Sequence, residues 1–426
     1  MSEKKKLILI GGGGRGRTYS QIANNMGKFE IVAIAEPIDE RRNFLADKFA
    51  IPEAMRFTSW EPLLALGKIA DAAIIATMDR DHFAPAIEAI NTGYDLLLEK
   101  PVCPTPEDCY ALEKHAKEKG ANVLICHVLR YTPFFRALKK VLRDGVIGEV
   151  VNIEHLEGVG HLHQSHSFVR GNWGNSERSS FMLLQKCCHD LDILQWLLDK
   201  ECKRVHSFGS TYYFKEENAP EGAPKYCYEG CPHADTCYYN AEKVYLSETT
   251  PGWFKNAASK MHEPTDEAMR AAIKGGDYGR CVFRCDNDVV DHQVVNMEFE
   301  GGVLCSMTMS AFNQGGRKIR IFGTKGELAA EAESTKIKVF EFDTREWREI
   351  DIEDAIASDS ITTGHGGGDS GIMVSFYDML CGNKNAELSD ISISVKNHMI
   401  VFAAEKSRLE NRVVDVSEFS YKNIMK

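Results

Sequence analysis

Three groups of residues carry the chemistry that this 426-residue chain can perform. The first is the run KLILIGGGGRGR from Lys6 to Arg17, in which Gly11, Gly13 and Gly16 stand in the order G-x-G-x-x-G. A strand that breaks into such a turn presents bare backbone N–H groups at a helix N-terminus, which suits a pyrophosphate. The second group is Lys100 and His189, with Lys186 three residues before the histidine. An amine and an imidazole in one cleft can hold a hydroxyl and take its proton while the carbon-bound hydrogen leaves as hydride. The third is CYEGCPHADTC, with Cys227, Cys231, His233 and Cys237 close enough in sequence to surround a tetrahedral zinc.

A glycine turn alone also serves packing, so its context decides. Leu7 to Ile10 reads as a strand before it, Arg17 to Met26 as a helix after it, and Phe29 to Ala35 as a second strand ending at Glu36. That acid lies about 20 residues past Gly16, where a carboxylate accepts both ribose hydroxyls and repels a 2′-phosphate, so NAD is expected over NADP. Arg41 and Arg42 nearby keep NADP open. Alternation continues with helices over 39–49 and 60–66, a buried strand over 71–77, a helix over 85–92, and strands over 94–98 and 122–127. Between the last two, Thr105 is placed to cap a helix that opens with Pro106 and stops at Gly120. The pattern specifies a doubly wound parallel sheet with its ligands at the carboxyl ends of the strands. Arg15 in the turn, and Thr77, His82 and Glu99 at strand ends, are the further candidates for cofactor contact. Glu99-Lys100-Pro101 puts an ionisable pair at that crevice, before a proline that can be cis. As an isolated surface pair it would mean little.

In the second half, strand patterns over 150–157, 292–300, 303–310, 318–323 and 336–342 are joined by short turns, with Gly301-Gly302 a tight-hairpin signal. One helix interrupts them, Phe181 to Leu198, and its periodicity puts Lys186 and His189 on one face. Around it lie polar residues suited to a polyol: His161, His163, His166, Arg170, Trp173, Asp291, His292 and the loop holding His365. A hydrated loop would account equally well for that glycine-rich segment.

Composition narrows the class. The chain exceeds what one hydrophobic core usually supports, so two domains are expected, residues 1–128 and 129–426. A net charge of −11 argues against nucleic acid or an anionic membrane as partner. No apolar run approaches transmembrane or signal-peptide length, which predicts a cytoplasmic protein, and its 13 cysteines then read as thiols or metal ligands. For the cluster at 227–237 the alternatives are zinc, free thiols, or an iron–sulfur centre with a fourth thiolate from Cys202, Cys281 or Cys285.

The glycine turn, Glu36-Pro37, Glu99-Lys100-Pro101, Arg130-Tyr131, Ile147-Gly148-Glu149, Gly323-Thr324-Lys325-Gly326-Glu327 and Ala404-Glu405-Lys406-Ser407 together resemble the Gfo/Idh/MocA family of nicotinamide-dependent oxidoreductases. The resemblance covers nearly the whole chain. It implies an N-terminal Rossmann domain and a C-terminal α+β domain whose open, mostly antiparallel sheet packs against a partner subunit, giving a dimer or tetramer. It also implies that Lys100 is catalytic or orients substrate, and Arg130 and Tyr131 join the candidate substrate contacts. The family commonly has an aspartate four residues before its catalytic histidine, where this chain has Gln185. The expected activity is NAD-dependent oxidation or reduction of a hydroxyl on a sugar, sugar derivative or cyclitol. The same hydride step used transiently would give a redox-neutral glycosidase, as in some members of that family, and a non-catalytic sugar or nucleotide sensor is the reading from another class.

Overall fold

The computed structural model describes residues 4–356, 367–383 and 389–426. Six strands form the first sheet: β1 (Lys5–Ile10), β2 (Phe29–Ala35), β3 (Arg56–Phe57), β4 (Ala72–Ile75), β5 (Asp95–Leu98) and β6 (Val123–Ile125). Their order is β3-β2-β1-β4-β5-β6, and every neighbouring pair is parallel. Helices on both faces bury the central residues of these strands, which is why they read as continuous apolar runs such as LILI and AAII rather than as alternating ones. The order reverses between β1 and β4, opening a crevice at their carboxyl ends. The helix Pro106–Lys119 has its expected ends: the Thr105 hydroxyl accepts the Asp108 N–H at 3.2 Å, and Gly120 adopts φ +67°.

The second sheet has nine strands: β7 (Val150–Gly158), β8 (Cys202–Ser210), β9 (His292–Phe299), β10 (Leu304–Ser310), β11 (Gly316–Gly323), β12 (Gly326–Glu331), β13 (Lys336–Glu341), β14 (Glu346–Asp351) and β15 (Val414–Asp415). The order is β14-β13-β12-β11-β7-β10-β9-β8-β15, antiparallel except for β7 beside β10. One face buries Val205, Val295, Met297, Met307 and Ile321 against Leu194, Val395 and Met399 from the helices Cys188–Leu198 and Ile391–Glu410. The other face carries Glu154, Ser306, Thr308, Lys318, Arg320 and Lys338 and lies open, with Phe208, Leu304 and Val151 about half exposed.

Two features depart from the sequence reading. The expected helix 181–198 is broken into Met182–Gln185 and Cys188–Leu198, because Cys187 leaves helical geometry at φ −96°, ψ 3°. The chain also returns to the first sheet late: Ile372, Met373 and Phe376 of the helix Gly368–Leu380 pack among Leu7, Leu9, Tyr19 and Phe29, and the Ser389 carbonyl accepts the Ile125 N–H at 2.8 Å. A cut at 128/129 therefore divides the sequence without dividing the packing. Between β8 and β9 an insert spans 211–291, with short helices around Val244, Tyr245, Phe254, Met269 and Ile273. No helix among the described residues is long and apolar enough to cross a membrane.

Candidate active site

The glycine turn is shaped by close approach. Gly11 adopts φ +92°, and a Cβ there would sit 2.5 Å from the Ala76 carbonyl oxygen; one on Gly16 would meet the Gly11 carbonyl oxygen at 1.9 Å. Gly13 differs, since a Cβ there would meet only the Arg41 guanidinium at 3.8 Å, which leaves its backbone open to an approaching ligand. Glu36, buried at the end of β2, is held by the Gly12 N–H (2.6 Å) and the Ile38 N–H (2.9 Å). Its carboxylate is thereby tied to the turn that it serves.

The other expected cofactor contacts brace the crevice. Arg15 donates to Glu99 at 2.8 Å and pairs with Asp369 at 2.5 Å, while the Tyr19 hydroxyl donates to Glu99 at 2.6 Å. Burial alone would raise the Glu99 carboxyl, yet Arg15 and Lys100 beside it hold it below its ordinary range. His82 is fully buried with Nδ1 against the Pro101 carbonyl (2.7 Å) and Nε2 facing that of Thr77 (3.3 Å), and the Thr77 hydroxyl donates to the Asp81 carbonyl. His82 thus links two strand-end turns, one containing the cis Lys100–Pro101 peptide.

Lys100 crosses the domain boundary. Its Nζ donates to the Gln185 carbonyl at 2.7 Å, at the end of the short helix just before the break. That places the ammonium beside His189, whose imidazole is half-buried with Nδ1 lacking a partner. Burial first, then the charge of Lys100, hold His189 well below the ordinary histidine range, with His127, Arg317 and Lys186 adding to it. The imidazole is consequently neutral at pH 7 and able to accept a proton. Lys186 pairs with Glu157 of β7 at 3.2 Å. Glu157 also meets Arg317 at 2.9 Å, Arg317 meets Asp190 at 2.7 Å, and Asp190 accepts His155 Nε2 at 2.8 Å. The carboxylate missing at Gln185 is thus offset by one on a neighbouring strand, but it serves Lys186 and not His189.

Of the expected substrate contacts, His163 lies nearest this chemistry. Burial, then Lys186, His166 and Lys100, hold its pKa well below the ordinary range, and its ring stands 5.0 Å from that of Trp253. Trp173 donates its indole N–H to Asp79 at 3.2 Å. Most of the others are committed to internal partners. Arg130 makes a bidentate pair with Asp192 (2.6 and 2.7 Å), and Tyr131 bonds to Ser389. Arg170 donates to the Arg280 and Tyr239 carbonyls, and Asp291 accepts the Tyr212 and Tyr213 N–H groups and faces His292 Nδ1 at 2.9 Å. These arginines and Asp291 hold the fold together, while His292 stays partly exposed. His365 lies outside the described residues.

Among the described residues no group of three or more His, Cys, Asp or Glu side chains is already arranged as a metal site. His233 uses Nε2 on the Glu221 carbonyl at 2.8 Å, and Cys227, Cys231 and Cys237 line a small cavity with Cys281. Sequence reasoning missed Asp79, which also accepts Ser179 and Ser180, and His127, which lies 5.7 Å from His189 ring to ring with both nitrogens unpartnered. His127 could have been found, since it stands at the carboxyl end of a predicted strand; the partners of Asp79 lie about a hundred residues away.

The fold and crevice define a dinucleotide-binding oxidoreductase of two domains. A family profile described as "Oxidoreductase family, NAD-binding Rossmann fold" matches residues 5–127, and its companion "C-terminal alpha/beta domain" matches 139–416, so the chain belongs to the Gfo/Idh/MocA oxidoreductase family. YteT of Bacillus subtilis (strain 168), named as an oxidoreductase without a stated substrate, is 28% identical over 358 residues, covering 79% of this chain and 80% of that one. An inositol 2-dehydrogenase of Corynebacterium glutamicum is 27% identical over 199 residues, 46% of this chain and 55% of its own length. The NAD+ complex of an inositol dehydrogenase homologue from Azotobacter vinelandii superposes with a TM-score of 0.70 at 18% identity, covering 97% of this chain and 98% of that one, which shows a shared fold.

Proposed function

We propose that this protein is an NAD-dependent dehydrogenase acting on a hydroxyl of a sugar, sugar derivative or cyclitol. The observation that carries the reading is the Lys100–Gln185 hydrogen bond, which sets an ammonium from one domain beside a neutral imidazole from the other. Lys100 and His163 would hold the reacting hydroxyl, Lys186 would orient a neighbouring one, and His189 would accept the proton. NAD, when bound, supplies the hydride acceptor. The open backbone at Gly13 fits the pyrophosphate, and the tethered Glu36 supports NAD over NADP. The polyol class is supported by the inositol dehydrogenase relative and by a site rich in hydrogen-bond donors.

Three accompanying features belong to the same reading. The open face of the nine-stranded sheet would join copies of the chain into a dimer or tetramer, and use of the NAD pool suits the cytoplasm. The loop that carries Cys227, Cys231, His233 and Cys237 would hold a structural zinc. The activity is tested with NAD and a panel of sugars, cyclitols and aryl glycosides. NADH accumulation on a free polyol is expected. Glycoside cleavage without net NADH would replace the dehydrogenase by a redox-neutral glycosidase, and tight NAD binding with neither reaction would leave a sensor.

A further inference from the structure

We propose that Cys281 completes, with Cys227, Cys231 and Cys237, a four-thiolate zinc centre packed against the buried guanidinium of Arg170, and that this centre fastens the 211–291 insert. The proposal rests on the reading of this loop as a zinc site and names its fourth donor and its task.

The backbone brings the two distant cysteines together. Tyr226 and Arg280 form an isolated antiparallel bridge, flanked by bonds from the Cys227 N–H to the Gly279 carbonyl (2.9 Å) and from the Cys281 N–H to the Lys225 carbonyl (2.8 Å). Cys227 and Cys281 each stand one residue beyond the bridging pair, so both side chains leave on the same side of the ribbon. On that side lies a cavity of about 20 Å³, lined by these two thiols together with Cys231 and Cys237. A single water-sized sphere needs roughly 10–15 Å³, so the space admits one ion. All four thiols are unpaired to one another. His233 lines the same cavity, but its Nε2 is engaged by the Glu221 carbonyl at 2.8 Å.

Arg170 supplies an independent observation. Its residue is 1% exposed, yet among the described residues no carboxylate lies within ion-pair distance of it. Its donors reach the Arg280 carbonyl at 2.7 Å, the Tyr239 carbonyl at 2.6 Å and the Cys227 sulfur at 3.6 Å, while Nη1 has no partner. A buried cation without an anion is costly, and neutral thiols do not offset it. Zinc thiolates bear net negative charge and would supply the missing anion against Cys227.

The insert has a task that such a fastening explains. It lays His262 against the glycine turn, with Nε2 3.1 Å from the Gly12 carbonyl oxygen, and pairs Glu263 with Arg17 at 2.5 Å. The thiolate centre would hold the base of the same insert, so its loss should loosen the cover over the dinucleotide turn.

The test is elemental analysis of protein purified without chelator, with the absorption spectrum of the Co(II)-exchanged form. We expect about one zinc per chain and an intense thiolate-to-cobalt band. Cys281→Ser should lower zinc retention against a competing chelator by about tenfold or more, His233→Ala should leave it unchanged, and removing the zinc should weaken NAD binding. Zinc retained in Cys281→Ser but lost in His233→Ala would overturn the fourth donor while leaving a zinc site in the loop. Folded protein without zinc, a brown iron chromophore, or a Cys227–Cys281 disulfide would overturn both. Unchanged NAD affinity in zinc-free protein would overturn the fastening. Should Cys281→Ser fail to fold, X-ray absorption at the zinc edge of the native protein still decides, since four sulfurs support the proposal and three sulfurs with a nitrogen refute it.

Discussion

Replacing Arg130 by Met separates a structural role from a substrate-binding one. The guanidinium makes two bonds to Asp192, at 2.6 and 2.7 Å, with side chains only 4% and 1% exposed. Removing one partner of such a pair leaves an uncompensated buried charge, which costs about 3–5 kcal/mol. Asn397 still donates to Asp192, so the lower half of that range is expected. With an unfolding entropy on the order of 2 cal/mol/K per residue, a chain of this length would melt roughly 3–5 °C lower if it unfolds as one unit. Thermal denaturation followed by circular dichroism reads the shift, and steady-state kinetics on the folded fraction reads KM. Exchanging Asp192 for Asn as well should recover part of the loss, because the stranded charge is gone. An unchanged melting temperature together with a raised KM would refute the reasoning and return Arg130 to the substrate.

Lys100→Ala and His189→Ala should each lower turnover by about 10²–10⁴-fold with NAD affinity nearly intact, and the double variant should lose less than the product, measured by kcat and cofactor titration. Near-native turnover in both would move the proton acceptor elsewhere. Glu36→Ala should narrow the preference for NAD over NADP by about 10–100-fold, the worth of hydrogen bonds to a charged group, and equal affinities in the native protein would contradict this. Acid sensitivity should come from buried histidines. The Val102 N–H donates to His398 Nε2 at 3.0 Å, so that nitrogen must stay unprotonated, and burial followed by the neighbouring His127 lowers the pKa to about 3. His166, with burial ahead of Arg170, likewise falls to about 3. Above pH 6.5 neither costs stability; below it the unfolded chain takes protons that the native state refuses, and each histidine removes about 1.4 kcal/mol per pH unit until its folded pKa is reached. Melting temperatures from pH 7 to 5 should fall less steeply in His398→Gln than in the native protein, and parallel slopes would refute the assignment.

Local signals carried the first sheet. The run LILI, the glycines of the turn, and the Thr105 and Gly120 ends of one helix are each decided by residues within a few positions, and a doubly wound parallel sheet follows from the alternation of such elements. The internal partners of several candidate site residues lie far along the chain. Arg130, Arg170 and Asp291 have the side chains expected of a sugar site, but Asp192, the Arg280 carbonyl and the Tyr212 and Tyr213 amides consume them. No sequence period announces such pairings. The break after Gln185 is similar: neither glycine nor proline marks it, and the exposed carbonyl is occupied by a lysine 85 residues earlier. The return of the helix Gly368–Leu380 to the first sheet is hidden in the sequence because apolar residues such as Ile372, Met373 and Phe376 state that a stretch packs without stating where.

The bond from Lys100 to Gln185 bears on selectivity. The carbonyl takes one of the three donors of the ammonium and leaves two, so the bond fixes where those two stand without filling them. A hydroxyl that reaches them exchanges water for a charged donor, worth about 1.5–3 kcal/mol. In the proposed reading the lysine would select by position, because only a ligand held elsewhere in the pocket brings its hydroxyl to the donors that the carbonyl has aimed. Small alcohols that lack those further contacts would bind weakly, and the nicotinamide pool would be spared their adventitious oxidation.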